Sequence, residues 1–265
     1  VSGRLRERFR QGKREGRALF VAYVTAGYPR REDTVPILLA LEAGGADVIE
    51  LGVPFSDPLA DGATIQQANQ VALAQGVTFA DCLAFVRTAR TAGLTAPVLL
   101  MGYYNPILQY GEARAARDAA AAGVDGFIVV DLPPDEAGHF LAACRANDLS
   151  FVPLVAPTTP DARIPLLAGA ADAFLYCVSV TGTTGKGNVA VDELPAFLGR
   201  VRARTDLPLA VGFGITRREH VAAVGKVADA AVIGSAILGA IDRADESNRA
   251  ARVREFVEEV TGRRE

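Results

Sequence analysis

Glu50 stands in the middle of the apolar run DVIELGV, residues 47 to 53, where an ionised side chain is costly to desolvate and packing has no use for one. Side chains alternate along a strand, so Ile49, Leu51 and Val53 share one face while Val48, Glu50 and Gly52 share the other. The aliphatic face suits a cover of helices. The other face leaves Glu50 in a pocket beside a residue that has no side chain. The segment that follows, PFSDPLADG, carries Asp57 and Asp61 within reach of the strand's end. A strand-end carboxylate and a loop carboxylate in different surroundings make a plausible acid/base pair.

The other reactive residue types offer less. His139 and His220 lie in helical stretches, so no Ser-His-Asp arrangement can be built from them. Lys186 follows a loop glycine and could approach a phosphate, but no lysine ends a strand where a Schiff base would form. Cys82, Cys144 and Cys177 are odd in number and widely spaced, as buried thiols of a reducing compartment are. Asp57, Asp61 and Asp131 have no histidine or cysteine with them, and no metal is expected.

Positioning Glu50 requires a sheet, and the chain supplies eight short β-branched or aliphatic runs with helical stretches between them: 19–25, 47–53, 97–103, 125–131, 150–156, 173–179, 208–214 and 229–235. Eight such units in 265 residues, with no dinucleotide fingerprint and no linker, predict α/β architecture: one (β/α)8 TIM barrel spanning 1–265 as a single domain. The basic opening, with Leu5 and Phe9 four apart between charges, predicts an extra amphipathic N-terminal helix. A closing helix follows from Val253, Phe256, Val257 and Val260. A net charge of −3 gives no argument for nucleic acid or an anionic membrane, and no apolar run is long enough to span a bilayer. A cytoplasmic location is the expectation.

In barrels of this kind the active site lies at the C-terminal ends of the strands. Tyr23 and Thr25, Glu50, Met101 and Tyr103, Asp131, Tyr176 and Phe213 close successive runs. Their aromatic members predict a flat apolar pocket for an aromatic ligand. Three glycine-containing loops, VTGTTGKGN, GFGITR and IGSAI, end late strands and place Gly185, Gly214, Gly234 and Ser235 where backbone N–H groups and a helix start can cradle a phosphate.

The block IELGVPFSDPLADGATIQ closely resembles the signature of the tryptophan synthase alpha chain family, and GVDGFIVVDLPPDE, FVPLVAPTTP, YCVSVTGTTG, VGFGI and GSAI resemble its further blocks in the right order, over about residues 15 to 260. The resemblance implies cleavage of indole-3-glycerol phosphate to indole and glyceraldehyde 3-phosphate, without a cofactor in this chain. It implies a beta chain partner in an alpha2-beta2 heterotetramer, where pyridoxal phosphate would reside. By motif, Glu50 would be the acid/base and Asp61 the stabiliser of the indolenine cation, with Tyr176 near the substrate hydroxyl. Gly185, Gly214, Gly234 and Ser235 would hold phosphate, and Tyr23, Met101, Tyr103 and Phe213 would line the indole pocket. Thr184 would belong to a closing loop, Asp131 would give polar support, and Pro54, Asp57 and Pro58 would meet the partner. A free-standing lyase and a non-catalytic activator of the beta chain are the alternatives. Three departures stand out: Ala63 where the family often has proline, Tyr23 where phenylalanine is common, and a variant sixth loop.

Overall fold

The computed structural model describes residues 3–178, 193–212 and 214–263. Its strands are β1 (Leu19–Thr25), β2 (Val48–Gly52), β3 (Val98–Gly102), β4 (Gly126–Val129), β5 (Ser150–Phe151), β6 (Leu154–Val155), β7 (Leu175–Val178), β8 (Leu209–Gly212) and β9 (Ala230–Ile233). All pair in parallel, in the order β5-β4-β3-β2-β1-β9-β8-β7-β6. The sheet is an eight-strand barrel whose fifth strand is broken. The run at 150–156 splits because Pro153 has no N–H to give to a ladder. Both sides of the break stay bonded: Val152 N–H donates to Phe127 C=O at 2.9 Å, and Tyr176 N–H donates to Pro153 C=O at 3.0 Å.

The helices are α1 (Gly3–Glu15), α2 (Thr34–Gly44), α3 (Ala63–Ala74), α4 (Phe79–Thr91), α5 (Tyr104–Tyr110), α6 (Glu112–Ala122), α7 (Gly138–Ala146), α8 (Ile164–Ala170), α9 (Leu194–Arg202), α10 (Arg218–Gly225), α11 (Ser235–Asp242) and α12 (Arg249–Thr261). In α3 the buried face is Ile65, Ala68, Asn69 and Ala72, mostly small or polar, and α5 is a seven-residue turn of helix with only Ile107 buried. Among the described residues no single helix is long and apolar enough to cross a membrane.

Strand alternation sorts the apolar residues into two cores. Leu19, Val21, Val48, Leu99, Ile128, Val152, Phe174, Ala210, Ala230 and Val232 fill the barrel. Ala22, Ile49, Leu51, Leu100, Phe127, Cys177 and Val211 face the helices instead. The N-terminal end of the barrel is plugged by α1, whose Leu5 and Phe9 join the inner core, Phe9 stacking on Phe174 at 4.9 Å between centroids. Burying two such side chains stabilises the plug by roughly 3–6 kcal/mol before entropy.

Register decides whether Glu50 faces inward, because a slip of one residue would turn it outward. Aspartates that enter three of the strands, β2, β4 and β9, fix that register. Asp47 accepts the Phe20 N–H at 2.8 Å, Asp125 the Val98 N–H at 2.9 Å and Asp229 the Leu209 N–H at 2.8 Å. Arginines hold each of them: Arg8 and Arg17 on Asp47, Arg4 and Arg90 on Asp125, Arg202 on Asp229. Arg4 and Arg8 come from α1, so the same contacts latch the plug.

Candidate active site

At the opposite end from the plug, the inward positions become polar. Tyr23 pairs in register with Glu50, and Glu50 with Leu99. Each Tyr23-type side chain leans along the barrel over a glycine two positions on in the neighbouring strand. Tyr23 lies over Gly52, where a Cβ would meet its Cζ at 2.7 Å, and Tyr176, paired with Ala210, lies over Gly212, where a Cβ would meet its hydroxyl at 2.6 Å. Gly52→Ala is therefore expected to displace Tyr23, costing about 1–3 kcal/mol as an overpacked site does. Thermal unfolding would check it, with Tyr23→Phe in the same background recovering part of the loss. A Gly52→Ala protein as stable as its parent would show that the ring moves aside freely.

Glu50 is fully buried, and among the described residues neither carboxyl oxygen has a hydrogen-bond partner. Desolvation alone pushes its pKa up to about 8. At neutral pH it holds its proton. Asp61 sits in the loop between β2 and α3. Burial pushes it up to about 6, against the Tyr103 hydroxyl and the Asn69 amide, whose hydrogen bonds favour the carboxylate. Two carboxyl groups at one barrel mouth thus differ in protonation near pH 7.

The surrounding side chains hold this arrangement. The Tyr103 hydroxyl accepts the Ala60 N–H at 2.9 Å and bonds to Asp61, while Phe55 stacks on the Tyr103 ring at 5.2 Å. The Tyr23 hydroxyl is 3.2 Å from Thr25 Oγ1, which answers the extra phenol oxygen with a partner. Burial raises both phenols, and the charge of Asp61 raises them further, so each stays neutral. Tyr176 is likewise buried, with Glu50, Tyr23 and Asp61 acting on it. Met101, half-buried, touches both cores.

Gly234 precedes α11 directly after β9 and packs beside the Tyr23 ring, with a virtual Cβ 3.1 Å from Cδ1. Ser235 opens α11, and among the described residues no side chain caps that helix. Gly214 follows β8 with φ +59°, a left-handed backbone suited to glycine. Asp131 is exposed beyond β4 and accepts the Tyr104 N–H at 2.7 Å, tying the β4 loop to the start of α5. Thr184, Gly185, Lys186 and Phe213 lie outside the described residues. Of the loop after β2, Pro54 is buried, Asp57 is exposed, Pro58 is half-buried and Leu59 is 85% exposed. Among the described residues no group of three or more histidine, cysteine, aspartate or glutamate side chains could hold a metal ion. The three cysteines are buried and unpaired, with burial pushing Cys144 and Cys177 up to about 12.

Two residues escaped the sequence reading. Asn69 donates to Asp61 Oδ2 at 3.4 Å, and Gln66 donates to the Asp61 backbone carbonyl at 2.8 Å. Their only sequence signal is position: polar residues three apart on a helix that starts two residues after Asp61.

A (β/α)8 barrel with two carboxyl groups of raised pKa at the C-terminal ends of its strands is the setting in which barrel enzymes keep their active sites. The tryptophan synthase alpha chain family matches residues 9–263. The chain is 49% identical to the tryptophan synthase alpha chain of Roseiflexus sp. strain RS-1 over 98% of this chain and 99% of that one. It is 51% identical to tryptophan synthase of Saccharomyces cerevisiae over 98% of its own length and 37% of the longer yeast protein. Among solved structures it superposes on Mycobacterium tuberculosis tryptophan synthase with a TM-score of 0.90 at 37% identity, covering 99% and 98% of the two chains. Tryptophan synthase subunit alpha of Legionella pneumophila gives 0.90 at 36% identity, covering 98% and 97%. The chain belongs to the tryptophan synthase alpha chain family. It is the indole-3-glycerol phosphate lyase component, a carbon–carbon lyase of tryptophan biosynthesis.

Proposed function

We propose that Glu50 and Asp61 divide the retro-aldol cleavage of indole-3-glycerol phosphate between them. Indole is a poor leaving group as a carbanion, so the ring must first be protonated at C3. Glu50, protonated at neutral pH, gives that proton and leaves an indolenine cation. Asp61, ionised, accepts a hydrogen bond from the ring N–H and stabilises the charge. Glu50 then takes the proton of the neighbouring glycerol hydroxyl as that oxygen becomes the aldehyde carbonyl. The carbon–carbon bond breaks, and its electrons return to the ring. One proton leaves Glu50 and one comes back, so the residues of this chain need no cofactor for the cycle. The observation that carries the reading is the pair itself, pushed to about 8 and about 6 in one mouth.

Tyr23, Met101, Tyr103 and Phe213 would hold the indole ring, and Tyr176 the hydroxyl that loses its proton. Gly185, Gly214, Gly234 and Ser235 would hold the phosphate, with the start of α11, uncapped among the described residues, supplying N–H groups and its positive end. Thr184 is assigned to closure of the site by the family resemblance. The partner would be a tryptophan synthase beta chain in an alpha2-beta2 assembly, carrying the pyridoxal phosphate. Asp57, Pro58 and the exposed Leu59 offer it a surface on the loop that also carries Asp61. Docking there would bear directly on the position of Asp61.

Indole release by the full chain, measured from pH 5 to 9 with and without a beta chain, tests the reading. Slow release that rises sharply with the partner is expected. Below about 6 the rate should fall as Asp61 gains a proton, and above about 8 as Glu50 loses one, about tenfold per unit on each side. Fast release alone would identify a free-standing lyase. A flat profile would remove the two carboxyl groups from the proton steps.

A further inference from the structure

We infer that Asn69, with Gln66, is a positioning residue for Asp61: helix α3 grips the aspartate twice, Gln66 by its backbone carbonyl and Asn69 by its carboxylate. The inference rests on the role proposed for Asp61. Its basis is geometric. Gln66 Nε2 lies 2.8 Å from the Asp61 carbonyl oxygen, and Asn69 Nδ2 lies 3.4 Å from Asp61 Oδ2. Positions three apart share a helix face, so both amides point toward the loop that α3 follows.

Asn69 is an odd residue for packing alone. It is 2% exposed on the buried face of α3, among Ile65, Ala68 and Ala72, and its Oδ1 is buried without a partner among the described residues. A buried amide with one unsatisfied oxygen is less stable than an aliphatic side chain of similar volume. The bond it does make goes to a carboxylate proposed to stabilise charge. An aspartate here would repel that charge, whereas an amide donates and adds none. Tyr103 approaches the same carboxylate from the end of β3, so donors from two elements fix it.

Gripping Asp61 this way has two consequences. The carboxylate is held for the ring N–H before substrate arrives, which matters more for the transition state than for substrate binding. The amide also favours the ionised form, opposing burial. Among the described residues, the titratable groups that interact with Asp61 are Tyr23 on β1, Tyr103 after β3 and Tyr176 on β7, and none of these is a cation.

Asn69→Leu, assayed as the full chain saturated with beta chain, is the test. We expect kcat to fall about tenfold, the loss of one hydrogen bond to a charge, with KM changed less than about threefold. The acid limb of the pH profile should move up, because the carboxylate has lost a donor. Leucine removes a buried unpaired oxygen, so the variant should fold. Asn69→Ser, too short to reach Asp61, gives the same expectation if it does not. Combining Asn69→Leu with Asp61→Asn separates the causes. In the Asp61→Asn background Asn69→Leu should cost almost nothing further, since the group being positioned is gone. An unshifted acid limb, or the same tenfold loss in the Asp61→Asn background, would overturn the inference by showing that Asn69 acts through packing. Asp61→Asn that keeps full activity would instead defeat the role of Asp61 itself.

Discussion

Glu50→Gln is expected to lower indole release about 10³-fold while leaving the barrel folded and able to bind phosphate, because a general acid and base of this kind contributes about 10²–10⁴. Glutamine keeps the shape and the polarity of the protonated carboxyl but has no proton to exchange. A steady-state assay at pH 7 with the beta chain present reads the loss directly. Retained turnover would take Glu50 out of both proton steps.

The same substitution has a signature in stability. Glu50 goes from an ordinary 4.5 in the unfolded chain to about 8 in the fold, so between those values the native state binds more protons than the unfolded one. Stability therefore falls as pH rises through that window and levels off above it. At pH 7 the cost is at most about 3 kcal/mol. Glutamine has no such slope. The melting temperature of Glu50→Gln minus that of the parent should therefore increase from pH 4.5 to 8, by about 5 °C or more, whatever its offset at low pH. Parallel curves would mean that Glu50 is solvated or paired in solution and that its proton is not held by burial. Together the two readouts describe a residue kept at a cost to the fold, as a catalytic group is and a packing group is not.

Much of this was legible from residue types. A charge inside DVIELGV has one physical excuse, and alternation alone placed it on the face away from the helices, where Ile49 and Leu51 now pack and Glu50 does not. Eight runs gave the barrel, since parallel strands buried on both faces read as continuous apolar segments. The break in the fifth was also available in principle, as Pro153 cannot complete a ladder, but the run around it is apolar enough to hide it. Helix α3 stayed hidden for a different reason. Its buried positions, 65, 68, 69 and 72, keep helical spacing, but Ile65 is the one large apolar side chain among them, so the stripe is faint. The positioning residues Gln66 and Asn69 fell with it. Nor does sequence show that Tyr23 and Tyr176 lean over Gly52 and Gly212, because that contact depends on strand tilt between neighbours far apart in the chain.

Asp61→Asn is expected to lower kcat by about 10²–10³, the usual loss when one group aimed at developing charge is removed. Asparagine can still accept a hydrogen bond from the ring N–H, so substrate should bind nearly as well. What disappears is the negative charge that the indolenine cation needs, and the loss should fall on kcat with KM little changed. The acid limb near pH 6 should vanish as well, since no carboxyl remains there to be protonated, while the limb near 8 from Glu50 persists. The fold should not suffer. Asp61 is raised from 3.8 to about 6, so its ionisation destabilises the native state between those values, by at most about 2 kcal/mol once partial exposure is allowed for. Asparagine removes that cost above pH 6. A variant that loses its rate, keeps its KM, loses one pH limb and melts no lower than the parent would place the charge of Asp61 in the transition state. If the rate and the limb both survive, the ring cation must be stabilised elsewhere in the mouth, and Glu50 would be left as the one carboxyl in the reaction.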